Sequence, residues 1–347
     1  MPGPAPDPII ALAQARADAR SRRDWAEADR LRGEIEAAGW RVVDEGLSFT
    51  LAPARPADVV VDGRLRYGHP SSVPSRLEEP VAGFATVVLV AGEDPDEVVR
   101  LVTATHAHAP GATALVVVGD APSLLVEAAL EAIEARLAED PGKPVEIVLT
   151  SERLGHAAAA DAGIRRAAAA VVVLLGPGVE PAGDIVAPLV RALDDPAVAI
   201  AGSSGVDVAD LRHSKASGSR DAGAVGPGCL AFRRADYVAR GPLDERLRTD
   251  QYLALWWSLV LRDEGVERQP RRALVVDGLP LVVRRDDGAG PGDGSQPPVA
   301  GARDRAARRD YYRVLERFGG RSDLLGSATA VAQAGGHGAA GGSPGGR

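Results

Sequence analysis

The stretch VVVLLGPGVEP at residues 171–181 decides the fold class and also raises the question of function. Its five apolar residues, Val171–Leu175, predict a strand that is buried on both faces. Gly176-Pro177-Gly178 ends that strand, and Glu180-Pro181 predicts the start of a helix. A buried strand that turns directly into a helix is typical of an α/β protein with a parallel sheet.

The same alternation of strands and helices extends outward from this stretch. Further strands are predicted at 86–91, 114–118, 145–149, 198–201, 228–234, 273–276 and 281–283, and helices at 95–108, 123–138, 156–168, 183–193, 250–264 and 303–318. Continuous apolar strands separated by amphipathic helices predict a mainly parallel central sheet flanked by helices on both faces. Such sheets bind ligands at the carboxyl ends of their strands, which places 92–94, Asp120, 150–153 and 176–180 along one edge.

The chain divides into four segments by composition. Residues 1–52 predict a small module, a helical hairpin followed by a short β-hairpin, in which Asp24 caps the second helix and Glu27 completes a capping box. The proline-rich residues 53–83 predict a linker or wrapping segment. The α/β domain is predicted over 84–322, and the Gly/Ala-rich residues 323–347 predict a disordered tail.

Composition excludes several classes of protein. The net charge of -8 and the pI near 5.4 argue against a nucleic-acid binder that works through bulk electrostatics. The single cysteine, Cys229, excludes an internal disulfide and a cysteine-rich metal site. The sequence has no secretory signal pattern and no apolar run near the roughly 20 residues that span a bilayer. These features predict a soluble, cytoplasmic protein without a transmembrane segment.

Several motifs over about 84–320 resemble those of the family-2 glycosyltransferases, which have a nucleotide-diphospho-sugar transferase fold. Leu154-Gly155-His156-Ala157 is similar to the family segment in which a glycine turn opens a helix beside the nucleotide. VVVLLGPGVEP stands where the family has its metal-binding strand end. Gly228–Arg234 is similar to the acceptor-side strand, and Gly241–Leu247 to the segment that follows it. The resemblance implies a nucleotide-sugar-binding domain.

The resemblance also implies a divalent metal ion and a catalytic carboxylate, and here the sequence departs from the family. The metal carboxylate positions fall on Gly176 and Gly178, so no cofactor is predicted. The position of the base falls on Ala254, and Asp250, one helical turn earlier, is the candidate replacement. A histidine often found late in the fold is also absent from 283–286.

The remaining candidate residues follow from the same resemblance. Asp120 matches a family position that contacts the base of the nucleotide, and the alternative is an Asx turn or helix cap. Gly155, Asp161 and Gly178 also fall at nucleotide-sugar positions, although Asp161 has the alternative of stabilising only its own helix. Arg284 and Arg285 could stabilise a diphosphate without metal, or pair with the aspartates that follow them. The histidines, His156 among them, show no ligand spacing with carboxylates.

Residues 10–52 carry a second resemblance. Arg22-Arg23-Asp24-Trp25 and the helix that follows, continued by Gly39-Trp40, look like the C-terminal helical hairpin of cysteinyl-tRNA synthetases. In that family the region helps to engage the tRNA anticodon. Arg16, Arg20 and Arg23 fall on one helical face, a basic stripe that is either an RNA contact or a solvated face offset by nearby acidic residues.

Two functions from different classes follow. The first is a family-2-like glycosyltransferase that binds a nucleotide sugar and acts on a polysaccharide or glycoconjugate acceptor. It has a metal-independent variant that uses Arg284 and Arg285. The second is a non-catalytic relative, in which the fold serves as a scaffold for RNA or protein interactions. The simultaneous loss of carboxylates at 176, 178 and 254 motivates the second.

Overall fold

A computed structural model describes residues 5–45, 48–208, 211, 214–284 and 302–325. Its helices are α1 Asp7–Ser21, α2 Trp25–Ala37, α3 Pro95–His108, α4 Leu124–Leu137, α5 His156–Ile164, α6 Val186–Ala192, α7 Arg234–Arg240, α8 Asp250–Arg262, α9 Ala302–Phe318 and α10 Ser322–Leu325, with a 3-10 helix at Pro70–Ser72. Its strands are β1 Trp40–Glu45, β2 Ser48–Pro53, β3 Val59–Val61, β4 Arg64–Tyr67, β5 Ala85–Val90, β6 Thr113–Gly119, β7 Val145–Thr150, β8 Val171–Leu175, β9 Val179–Pro181, β10 Val198–Gly202, β11 Gly205–Val208, β12 Ser214–Ala216, β13 Asp221–Ala222, β14 Ala224–Val225, β15 Cys229–Arg233, β16 Arg272–Val275 and β17 Leu281–Val283.

The central sheet confirms the predicted α/β fold class. Over the described residues it has ten strands, in the order β13-β16-β10-β15-β8-β5-β6-β7-β4-β3. The strands β8, β5, β6, β7 and β4 run parallel, whereas β15 runs antiparallel between β8 and β10. This arrangement aligns the carboxyl ends of β5, β6, β7 and β8 at one edge.

Helices cover both faces of this sheet, as side-chain alternation along the strands requires. On β5, Val88 belongs to a core built with α5, α8 and α9. Its neighbours Val87 and Leu89 point to the opposite core, which α3, α4 and α6 cover. Because both faces are packed, these strands carry uninterrupted apolar sequence.

Two local predictions from the sequence are wrong in the structure, and a third is wrong in part: the tail predicted to be disordered over 323–347 begins inside α10, where Leu324 is buried, and residues 326–347 lie outside those described. The linker predicted over 53–83 contains β3 and β4, and β4 pairs in parallel with β7, so part of this segment extends the sheet. A half-buried ion pair between Arg66 and Glu127 of α4, at 2.7 Å, holds it there. Glu180-Pro181 does not start a helix but lies in β9, which pairs with β17.

The N-terminal module has the predicted two helices and β-hairpin, with its own small core around Ile9, Ala13 and Ile35. Asp24 caps α2 by accepting a hydrogen bond from the backbone of Glu27. Part of the predicted basic stripe is used internally, because Arg16 and Arg20 both bind Asp44. The hydrogen bonds from Arg16 and Arg20 lower the pKa of the Asp44 carboxyl to about 2, although burial acts to raise it.

No helix among the described residues is long and apolar enough to cross a membrane.

Candidate functional site

A cavity of about 540 Å³ opens at the carboxyl edge of the sheet. We call it the edge cavity. It lies where β5, β6 and the loop between β7 and α5 come together, and its lining consists of Val90, Ala91, Gly92, Glu93, Asp120, Ala121, Pro122, Ser123, Arg153, Gly155 and His156. Of the site residues predicted from the sequence, the structure brings Asp120 and Gly155 together here, and His156 lies beside them.

Asp120 fixes the loop that forms one wall of the edge cavity. Its Oδ1 accepts a hydrogen bond from the backbone N–H of Leu154 at 2.8 Å, and its Oδ2 accepts one from Gly155 at 2.9 Å. Thr150 Oγ1 lies 2.9 Å from Oδ1. Asp120, which follows β6, therefore fixes the residues that lead into α5. These contacts join residues more than 30 positions apart, whereas the alternative predicted from the sequence, an Asx turn or helix cap, is a local contact. Its oxygens still have accepting directions toward the cavity.

The N-terminus of α5 points into the same region without a side-chain cap. Gly155 occupies the N-cap position with φ +95°, a left-handed conformation that favours glycine. A Cβ at this position would lie 2.6 Å from the guanidinium of Arg248. Arg248 therefore packs against the start of α5, whose first-turn N–H groups no side chain caps; uncapped N–H groups of this kind are the ones with which helix N-termini bind anions.

His156 and Asp250 meet beside the edge cavity. His156 is the first residue of α5 and Asp250 the first residue of α8, and His156 Nε2 lies 3.5 Å from Asp250 Oδ1. Both side chains are partly accessible, at 24% and 42% respectively. Sequence reasoning selected Asp250 but missed His156, because 94 residues separate the two positions and only the fold brings them together.

A smaller apolar hollow continues from this pair toward the core. Its lining consists of Val88, Val90, His156, Ala160, Leu174, Leu175, Gly176, Pro227, Gly228, Leu230, Asp250, Leu253 and Ala254. His156 belongs to both cavities, so the pair stands at their junction. Ala254, the residue matched to the family's base, lies in this hollow one helical turn from Asp250.

The turn at Gly176–Gly178 has neither carboxylates nor room for them. A Cβ at Gly176 would lie 3.2 Å from the Cα of Gly228, and one at Gly178, where φ is +73°, would lie 2.9 Å from the carbonyl oxygen of Arg284. Within the described residues no three His, Cys, Asp or Glu side chains cluster as metal ligands do. The residues at this strand end do not fit a divalent metal ion.

The backbone of the same turn is already hydrogen-bonded. Gly176 donates to the carbonyl of Gly228 at 2.6 Å, and Gly178 donates to Glu97 Oε1 at 2.9 Å. Gly178 also accepts from the backbone of Arg284 at 2.8 Å. Gly178 is therefore a structural residue here, and it does not line the edge cavity.

The other predicted residues lie apart from the edge cavity. Arg284 forms an ion pair with Glu180 of the facing strand at 2.8 Å, and the aspartates predicted as its alternative partners, Asp286 and Asp287, lie outside the described residues. Arg285 lies outside the described residues.

Asp161 faces the interior instead of the ligand. Its side chain is almost fully buried and accepts hydrogen bonds from Tyr237 Oη at 2.7 Å and the backbone of Leu243 at 3.1 Å. Burial raises the pKa of this carboxyl to about 8, although both hydrogen bonds act in the opposite direction. Asp161 thus joins α5 to α7 and the segment after it, and its predicted contact with a nucleotide sugar does not fit the structure.

Solved structures of similar architecture include three glycosyltransferases. GalNAc-T7 with UDP, GalNAc and Mn²⁺ is 17% identical with a TM-score of 0.49, over 68% of this chain and 48% of that one. The mannosyltransferase PcManGT from Pyrobaculum calidifontis, in complex with GDP-Man and Mn²⁺, is 17% identical with a TM-score of 0.46, over 76% of this chain and 81% of that one. TarS from S. aureus in complex with UDP is 12% identical with a TM-score of 0.40, over 55% and 57%.

These similarities concern the fold alone. The chain spans about half the length of GalNAc-T7, and no conclusion about substrate or reaction follows from likeness at this level. The three similarities give no support to the resemblance of residues 10–52 to cysteinyl-tRNA synthetases. No protein-family model and no curated protein sequence matches the chain.

Proposed function

We propose that the chain binds a nucleotide sugar in the edge cavity and transfers the sugar to a hydroxyl group of a polysaccharide or glycoconjugate without a divalent metal ion. The observation that carries this proposal is the His156–Asp250 pair beside the uncapped N-terminus of α5: His156 lines the edge cavity, and Asp250 lines the apolar hollow that adjoins it. A carboxylate, an imidazole and a ready anion site adjoin each other there, as glycosyl transfer from a nucleotide diphosphate requires.

The cavity supplies groups that suit the two ends of the donor. Asp120 can accept a hydrogen bond from an N–H of the nucleotide base while its loop contacts stay intact. The α5 N-terminus suits the diphosphate, because uncapped N–H groups and the helix dipole both favour negative charge. Arg153 adds a positive charge. Its side chain pairs with Glu93, and the two side chains are 64% and 80% exposed. A phosphate can therefore replace that carboxylate at little cost.

Asp250 is the group proposed to receive the acceptor's proton. In the tautomer with its proton on Nε2, His156 donates toward Asp250 Oδ1 and orients the carboxylate. The acceptor oxygen forms a bond to C1 of the donor sugar while the bond from C1 to the diphosphate oxygen breaks. The hydroxyl proton passes to Asp250, and the nucleoside diphosphate leaves with the electron pair of the broken bond.

A protein that binds a nucleotide sugar without transferring it is the second candidate. The closed glycine turn favours it, because Gly176 and Gly178 leave no room for the carboxylates on which the family's metal depends. The two candidates share the donor site and differ only in whether the sugar leaves it.

Nucleotide-sugar binding is tested first with the full chain. Thermal shifts and calorimetry with UDP-, GDP- and dTDP-sugars, each in EDTA and in Mn²⁺, should give binding that does not depend on the metal. Asp120→Asn should weaken it about tenfold or more, because Leu154 and Gly155 donate to different oxygens of Asp120 and the NH₂ group of the amide replaces one of these acceptors. Asp184→Asn is the matched control: Asp184 also accepts backbone hydrogen bonds, but at the start of α6.

Transfer is tested on the donor that binds. The rate at which nucleoside diphosphate is released, measured by chromatography, should fall at least about a hundredfold in Asp250→Asn. A hundredfold is the lower limit of what a positioned acid or base contributes. Donor affinity should change little. Binding with no release in the wild type would establish the second candidate. The proposal would be overturned if binding appears only with Mn²⁺, or if no nucleotide sugar binds.

A further inference from the structure

A second cavity, of about 710 Å³, adjoins the edge cavity across the loop between β7 and α5. We call it the arginine groove. One wall is the segment Ala52–Val59, which leads out of the N-terminal module, and the other is Ser151–Leu154 with Arg248. Arg153 lines both the groove and the edge cavity. A ligand in the groove would therefore end next to the proposed donor site.

The charge of the groove contrasts with that of the whole chain. Four arginines line it, Arg41, Arg55, Arg153 and Arg248, against two carboxylates, Asp58 and Glu152. Four positive and two negative charges leave a local surplus of two positive charges, in a chain whose net charge is -8. An electropositive groove of this kind concentrates anions from solution.

Most of the guanidinium donors in the groove remain available to a ligand. Among the described residues, Arg41 has no carboxylate partner. Arg55 makes one long bond to Ser71 Oγ at 3.3 Å, and Arg248 makes one to the carbonyl of Leu154 at 3.1 Å. Each guanidinium carries five N–H donors, arranged to bind phosphate or carboxylate with two hydrogen bonds.

Within the described residues neither of the two acidic residues forms an ion pair with these arginines, although both charges are counted in the local surplus. Asp58 is already engaged, because its Oδ1 accepts from the backbone of Gly68 at 2.7 Å. Glu152 is exposed and forms no ion pair within the described part of the chain.

We infer that the arginine groove binds an anionic glycan, whose phosphate or carboxylate groups Arg41, Arg55 and Arg248 hold. Its position beside the edge cavity makes this glycan the acceptor, a role that rests on the proposed function. The anionic groups lie along the groove, and the hydroxyl group to be glycosylated reaches past Arg153 toward Asp250. The N-terminal module thereby contributes to substrate binding through Arg41 on β1.

The lining of the groove favours a glycan over RNA. None of its described lining residues is aromatic, so the bases of single-stranded RNA could stack there only on guanidinium planes and not on the aromatic rings that RNA-binding sites commonly provide. The acidic pI near 5.4 also disfavours a polynucleotide, whose charge acts over a larger surface.

The inference is tested by titrating the full chain with four probes at low salt in a calorimeter. A tetragalacturonate carries carboxylates, a glycerol-phosphate oligomer carries phosphates, maltotetraose is neutral, and an oligouridine represents RNA. We expect at least one of the two anionic oligomers to bind and maltotetraose not to bind. Which of the two binds more tightly identifies the anionic group of the acceptor.

Paired variants locate the binding site. Arg41→Gln with Arg55→Gln should weaken anionic-glycan binding about tenfold, the loss expected when two charge-assisted contacts disappear. Arg32→Gln with Arg100→Gln removes the same charge from two exposed arginines on α2 and α3, outside the groove. This control pair should weaken binding less than twofold.

Nucleotide-sugar binding to the same variants separates this inference from the proposed function. If an anionic oligomer binds through Arg41 and Arg55 while no nucleotide sugar binds, the inference that the groove binds an anionic glycan is supported and the proposed function is contradicted. The inference is overturned if neither anionic oligomer binds, if maltotetraose binds equally well, or if the control pair loses as much affinity. Tighter binding of oligouridine that depends on the same two arginines would also overturn it, in favour of RNA.

Discussion

Replacing Asp161 by asparagine should remove a pH dependence from the stability of the fold. The carboxyl is buried with a pKa raised to about 8, so the folded state holds a proton that the unfolded chain releases near its ordinary pKa of about 3.9. The stability that this group contributes is fully present below the unfolded value. This stability is lost as the pH rises through the pKa that the carboxyl has in the folded state.

The magnitude follows from the binding of one proton. Between about pH 5 and pH 7 the folded state binds one proton more at Asp161, so stability falls by about 1.4 kcal/mol per pH unit, or about 3 kcal/mol over the range. Asparagine retains an oxygen for the hydrogen bonds from Tyr237 and Leu243 and cannot ionise. The difference in unfolding free energy between Asp161→Asn and the wild type should therefore grow with pH, in favour of the variant.

The measurement is urea unfolding of both proteins at several pH values from 5 to 8. Taking the difference between them cancels the titration of every group that the two proteins share. Tyr237→Phe is the second variant: loss of its hydrogen bond, which lowers the pKa of Asp161, should extend the falling stability to higher pH. A difference between Asp161→Asn and wild type that stays constant from pH 5 to 7 would show that Asp161 is ionised in the fold, and the reasoning would fail.

Three further substitutions test the packing around the site. Gly163→Ala would place a Cβ 2.5 Å from Val88 Cγ1, so urea unfolding should show a loss of about 1–3 kcal/mol; an unchanged midpoint would mean that α5 can move off the sheet. Ser258→Ala leaves the buried N–H of Val225 without its 3.1 Å acceptor and should cost about 1–3 kcal/mol, whereas a neutral result would point to a replacement partner. Gly176→Ala should lower the melting temperature, because its Cβ meets backbone at 3.2 Å; a variant as stable as wild type would contradict the account of a closed turn.

The sequence predicted those parts of the fold that local pattern determines. The apolar run Val171–Leu175 is β8 as predicted, and Asp250 begins α8 as predicted. Short elements were harder to predict, because a three- or four-residue strand has too few side chains to show a period. The valines Val59–Val61 and the charged strand Arg64–Tyr67 therefore look like part of a proline-rich linker in the sequence, although pairing of β4 with β7 and of β3 with β4 makes both strands part of the sheet.

The candidate site depended still more on long-range contacts. Asp120 was found because a polar residue directly after a buried strand is visible in the sequence. The pairing of His156 with Asp250 was not visible, since it depends on the meeting of two helix N-termini that are distant along the chain. Likewise, the Glu97 that binds the backbone of Gly178 comes from α3, and no spacing rule relates the two.

The closed turn constrains where any chemistry in this protein can occur. Aspartates at 176 and 178 would require the backbone to shift, because a Cβ at these positions would lie 3.2 Å from Gly228 Cα and 2.9 Å from the carbonyl oxygen of Arg284. On the proposed function, charge on a departing diphosphate is balanced by the α5 N-terminus and Arg153, which lie at the edge cavity. The carboxylate that remains, Asp250, meets the start of α5 through His156. On the proposed function, the groups able to act on a donor therefore lie around the start of α5, and the strand end at Leu175 has a structural role.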